Sequence, residues 1–230
     1  NGMNFDISII VLMAIGTSLA SIFFSAISST LSHHKKNAVE WQLVIPLSLG
    51  MFVGAILGAG YASTPTSENL KWIISFFLLM IGAEMITGYT QILTSKSKKI
   101  ISLTRLYATT NGSWIGFLSS IIGIGGGSFT TPLMIASGYS IRNGIGTAAA
   151  CGIPIAAAGT IGYMYFGKAD MNLPLGAVGY VFWPAVLCIS LASIFTAKLG
   201  ANISHSIDEK DLKTFFGIFL IIVGILVITN

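Results

Sequence analysis

Eleven consecutive residues, Gly123-Ile124-Gly125-Gly126-Gly127-Ser128-Phe129-Thr130-Thr131-Pro132-Leu133, place three adjacent glycines, three hydroxyls and a proline inside an apolar stretch. Glycine lacks a Cβ, so a chain opened at Gly125, Gly126 and Gly127 can bring bare backbone N–H groups up to a ligand. A half-helix starting at Ser128 would aim its positive end at the same point, and an anion is the natural guest. Ser128, Thr130 and Thr131 add hydroxyl donors that replace lost water around an oxyanion without burying a lysine. The competing reading is close packing, because small residues dominate the contacts between membrane helices. A run of three glycines followed by hydroxyls and a proline favours the broken helix. A dinucleotide fingerprint is excluded, since that loop needs a preceding strand and a βαβ unit.

Two further positions carry hydroxyls after a glycine near the start of an apolar segment: Thr17 and Ser18 after Gly16, and Thr147 after Gly146. They are candidate substrate ligands, set against the alternative that Ser and Thr bond back to helix carbonyls. Glu84 is the one ionisable residue well inside an apolar segment and is the candidate for proton coupling. Arg142 reads as a loop anchor, and His33 and His34 as interfacial loop residues. Cys151 and Cys188 lie in apolar surroundings without metal-ligand spacing and read as buried small side chains. No metal site and no cofactor follow from these residues. Ser128 has no His or Lys in its own segment to activate it, and no His-Glu-x-x-His occurs, so the reading is of a non-enzyme.

These residues need a scaffold, and composition defines it. Of 230 residues 53% are hydrophobic and only 9% charged, with mean hydropathy +0.82. A soluble domain carries about 25% charged residues, so the chain is a polytopic, all-α membrane protein with the lipid bilayer as its main partner. Seven apolar segments, 5–32, 42–62, 70–93, 111–138, 144–166, 173–203 and 211–229, each reach the roughly 20 residues that a span requires. The fourth is expected to form two half-helices around its glycines, and Pro46, Pro154 and Pro184 to kink their spans. No segment alternates polar and apolar residues as a barrel strand would. The net charge of +4 comes from short basic runs in loops, which excludes nucleic-acid binding and places loops 33–41 and 94–108 in the cytoplasm. Whether 111–138 crosses or re-enters is open, and so is homo-oligomerisation.

The chain also matches itself. Leu70-Lys71, Phe77-Leu78, Gly82 and Ile86-Thr87 recur as Leu212-Lys213, Phe219-Leu220, Gly224 and Ile228-Thr229, 142 residues on. Ile15-Gly16-Thr17 recurs as Ile145-Gly146-Thr147, 130 residues on, and Pro46 with Gly54-Ala55 matches Pro184 with Ala192-Ser193. The series predicts a duplication: a first repeat at 1–93, a basic linker at 94–110 and a second repeat at 111–230. The first copy begins at Asn1-Gly2 without a glycine-rich segment of its own, so it reads as shortened by about 30–40 residues, one span and its flanks.

Gly123 through Pro132 with Gly146-Thr147, Gly16-Thr17-Ser18, Ser28-Ser29, His33-His34 and Asn37-Ala38-Val39-Glu40-Trp41 together resemble the sulfite exporter TauE/SafE family over nearly the whole chain. The resemblance implies eight helices in two fused halves. It also implies export of small sulfur-containing anions such as sulfite or sulfonates including sulfoacetate, or of related organic anions, against protons. Two departures stand out: Ala148 replaces the serine of the second copy, and the first glycine-rich segment is absent. An anion channel and a membrane scaffold are the alternatives, and clustering of the hydroxyls at helix breaks favours a bound intermediate over a continuous pore.

Overall fold

Without water to satisfy backbone groups, an apolar chain must close its hydrogen bonds within each segment, and this one does so as helices. The computed structural model describes residues 7–64, 70–88, 104–169, 173–193 and 209–229. Among them the helices are α1 (Ile7–Lys35), α2 (Trp41–Ala62), α3 (Leu70–Thr87), α4 (Arg105–Ile122), α5 (Gly127–Ala136), α6 (Ile141–Phe166), α7 (Trp183–Ser193) and α8 (Glu209–Thr229). The linker expected at 94–110 lies outside the described residues up to 103; its last residues open α4. Stretches Ile9–Lys35, Trp41–Ala62 and Arg142–Phe166 are each long and apolar enough to cross a membrane. The protein is an all-α membrane protein.

Local chemistry sets the ends. Lys35 closes the last turn of α1 beside His33 and His34, where its positive charge suits the exposed carbonyls. Ser140 caps α6 by accepting from the Asn143 N–H at 3.1 Å. Pro46 and Pro154 lie inside α2 and α6 as expected. Pro184 does not: it is the second residue of α7, where a missing N–H costs nothing. The segment 173–203 also departs from a plain span. A short antiparallel hairpin, β1 (Ala177–Val178) and β2 (Val181–Phe182), precedes α7, with Gly176 and Gly179 in left-handed conformations at its bends.

The core is built on α1, α2, α4 and α6, with Leu19, Leu47, Met51, Ile155 and Tyr163 wholly buried. Helices α2 and α4 meet backbone to backbone. A Cβ on Gly50, Gly54 or Gly58 would run into the carbonyl of Thr109, Ser113 or Phe117, and one on Gly112 or Gly116 into that of Leu47 or Met51. Such contacts drive association where lipid removes the hydrophobic incentive. Helices α1 and α6 run antiparallel: Gly16 lies against Tyr163, Leu19 against Gly159, Ala26 against Gly152, and Ala38 against Gly146. Helix α3 pairs with α8, Gly82 seated on Gly217 and Ile221, and Gly224 on Leu78 and Leu79. Ile45, Leu49 and Val53 on α2 and Phe215 and Phe219 on α8 are exposed, as lipid-facing side chains are.

Candidate functional site

Helix α4 ends where the glycines begin. Gly123 adopts φ 77°, the left-handed C-cap conformation, and its N–H donates to the Ser119 carbonyl at 2.9 Å. The chain turns through Ile124 to Gly126 and α5 starts at Gly127, so the expected pair of half-helices forms. Thr130 N–H donates to the Gly126 carbonyl at 2.8 Å, closing the first turn of α5. Among the described residues the N–H groups of Gly125 and Gly126 have no acceptor.

Three buried hydroxyls flank this break without a hydrogen-bond partner: Ser119 and Ser120 at the end of α4 and Thr130 in α5. Each of the three residues is 0% exposed. Buried polar groups are nearly always satisfied, so three orphans at one break mark a place where the protein alone does not complete its bonding. Gly126 is buried: a Cβ there would stand 2.5 Å from Ile155 Cδ1 and 3.5 Å from Thr130 Oγ1. Gly127 faces open space, with no atom within 4 Å of a Cβ built on it. Ser128 is exposed, and Thr131 leans its methyl group toward Gly144.

The break is held from the first half of the chain. Ser18 Oγ donates to the Gly123 carbonyl at 3.1 Å, and Ile15 and Ile22 of α1 pack on Gly123 and Gly125. Ser18 and Ile22 also line a groove of about 510 Å³ between α1 and α7, with Thr17, Ser21, Ser25 and Ser193. Ser21 and Ser25 escaped the sequence reading, although with Ser18 they form a stripe at helical spacing. Their hydroxyls donate back to the carbonyls of Thr17 and Ile22 at 2.9 and 3.1 Å. Ser119 and Ser120 also escaped, since nothing in their types separates an orphaned serine from a back-bonded one.

Thr17 and Thr147 do not converge on the break. Thr17 Oγ1 accepts from the Phe182 N–H, and Thr147 Oγ1 from the Glu40 N–H, each at 3.0 Å. The surroundings of the two repeat as well. Ala38 N–H donates to the His33 carbonyl at 3.0 Å and Tyr180 N–H to the Tyr163 carbonyl at 3.1 Å. A Cβ on Gly146 would meet the Ala38 carbonyl, and one on Gly16 would meet the Tyr180 carbonyl. All three contacts recur 130 residues on, from α1 to α6, and 142 residues on, from the residues before α2 to those before α7.

Glu84 lies half-buried in the last turn of α3, its carbonyl accepting from the Gly88 N–H at 2.7 Å. Helix α3 packs on α8, so the structure does not bring Glu84 to the break. Arg142 is exposed at the start of α6. Cys151 is buried as expected, but Cys188 is exposed on α7. Among the described residues no group of His, Cys, Asp or Glu could hold a metal ion.

Residues 4–227 match the family model for sulfite exporter TauE/SafE. A probable membrane transporter protein of Haemophilus influenzae is 32% identical over 95% of this chain and 81% of its own length. The probable membrane transporter protein YdhB of Bacillus subtilis is 30% identical over 94% of this chain and 84% of its own. An archaeal relative from Methanocaldococcus jannaschii with the same description is 25% identical, covering 92% and 77% respectively. No solved structure matches the chain significantly.

Proposed function

Because the chain belongs to the sulfite exporter TauE/SafE family, we propose that this membrane transporter carries small sulfur-containing oxyanions, with the break at Gly123–Thr130 as its binding site. The observation behind this reading is the unpaired N–H groups of Gly125 and Gly126 beside the orphaned hydroxyl of Thr130, at the positive end of α5. An oxyanion accepts from several donors at once and neutralises the helix end, and a neutral guest does only the first. The open space at Gly127 gives it room. Ser18 acts on the site through the Gly123 carbonyl, positioning the break without touching the guest.

In this reading transport is secondary and proceeds by alternating access, the loop at 33–41 facing the cytoplasm. Two halves of common origin, 1–93 and 111–230, move against each other around the break. Small anions are released toward the outside, with proton movement as the driving force. An anion channel is the second reading; the enclosed position of Thr130 and Gly126 favours a bound intermediate over a through-going pore.

The test is direct binding. Full-length protein in nanodiscs, titrated calorimetrically with sulfite, should bind one equivalent, and Gly127→Ala should weaken binding at least tenfold while leaving the melting temperature within about 2 °C, because its Cβ enters open space. Equal affinity in both proteins would remove the break as the site.

A further inference from the structure

The paired contacts of Thr17 and Thr147 join opposite halves of the chain: the first helix of each half receives the segment that leads into the second helix of the other. In one clasp Gly146 and Thr147 of α6 hold Ala38 and Glu40 before α2. In the other Gly16 and Thr17 of α1 hold Tyr180 and Phe182 before α7. Ala38 is 1% and Tyr180 7% exposed, Thr147 0% and Thr17 7%, so both clasps are shut.

Their placement gives them a use. Helices α1 and α6 are antiparallel, so the clasps lie toward opposite ends of the pair. From Thr17 to His33, whose carbonyl holds the Ala38 N–H, is about 24 Å at 1.5 Å per residue, most of the thickness of a bilayer's hydrocarbon core. The glycine break begins level with the Thr17 clasp, Gly123 against Ile15 and Ser18 of α1, and runs from there toward the other clasp, Gly125 against Ile22 of α1 and Gly126 against Ile155 of α6. Each clasp rests on one neutral hydrogen bond from a backbone N–H to a hydroxyl. Such a bond is weak enough to open reversibly, whereas the glycine behind it makes the closed position specific by letting backbone meet backbone. The clasps are not identical. Asn143 Nδ2 also donates to Glu40 Oε1, and Phe182 offers no counterpart.

We infer that the two clasps are the gates of the transporter, one toward each membrane face, opened in alternation, with Thr17 and Thr147 as their positioning residues. The inference rests on the alternating-access reading and assigns its moving contacts. The additional Asn143 to Glu40 bond makes the gate at the 33–41 end the tighter of the two.

Pairs of spin labels test it in full-length protein in nanodiscs, on a Cys188→Ser background. Lys36→Cys with Arg142→Cys reports the gate at the 33–41 end, and Ile10→Cys with Val178→Cys reports the other; all four side chains are exposed. Thr147→Val should raise the long-distance population of the first pair about fivefold and leave the second unchanged, and Thr17→Val should do the reverse. Thr147→Ser and Thr17→Ser keep the hydroxyl and should restore the wild-type distributions, which separates gating from a loss of folding. If a valine variant moves neither pair, or moves both together as general loosening would, the clasps are fixed joints and the inference fails. Absence of sulfite binding in the wild type would instead overturn the transport reading while leaving the distance result standing.

Discussion

Thr130 carries a sharp chemical demand. It is wholly buried, its hydroxyl has no partner, and its oxygen lies beside Gly126 of the break. An unsatisfied buried hydroxyl costs about 1–3 kcal/mol, so Thr130→Val, nearly isosteric, should raise the stability of the ligand-free protein by about 1 kcal/mol in thermal unfolding. A threonine whose hydroxyl were bonded within the folded protein would lose stability on the same substitution. Gly123 makes the opposite demand. At φ 77° a side chain is strained by about 1–2 kcal/mol, and Ile15 closes around it, so Gly123→Ala should lower the melting temperature. The glycine run was legible in the sequence because broken helices have a local grammar. The assignments of Thr17 and Thr147 were not, because their donors lie 165 and 107 residues away in sequence. Spacing along one helix identifies a hydroxyl and its depth, and the donor that reaches it is decided by tertiary packing.

At the scale of elements, the interface of α2 with α4 is where glycine serves packing and nothing else. Gly54→Leu would drive a side chain into the Ser113 carbonyl, and overpacking of that kind costs about 1–3 kcal/mol or more. The expected outcome is a lower melting temperature with sulfite affinity unchanged in the fraction that stays folded, measured by calorimetry beside Gly127→Ala. Loss of affinity from both in equal measure would favour the packing account of every glycine in the chain. Helix α7 shows the limit of apolarity as a guide. The stretch from Leu173 onward reads as one long span, yet Pro174, Gly176 and Gly179 turn it into a two-residue hairpin before the helix starts at Trp183. Strands that short leave no period to detect, and the turn residues were the only sign. Glu84 illustrates the converse: a carboxylate inside an apolar run is conspicuous in sequence, but here it sits in the last turn of a helix that packs away from the break.

For the whole molecule, composition was decisive on class, since 9% charged residues cannot cover a soluble surface. The long helices and the family follow that reading. The recurrence of three contacts at the same two offsets supports a common origin of the halves more strongly than the letters did. Two apolar sequences match by chance easily; two sets of crossed backbone contacts do not. Binding of a sulfur oxyanion at the broken helix would show in the melting temperature of full-length protein in sulfite, sulfate, sulfoacetate, taurine, acetate and chloride at matched ionic strength, in wild type and Thr130→Val. A ligand at a hundred times its Kd adds about 2.7 kcal/mol to the folded state. Sulfite or a sulfonate should raise the wild-type melting temperature, and Thr130→Val should start higher and gain less. An equal gain in both proteins, or none from any anion in the wild type, would mean that the broken helix is not the binding site.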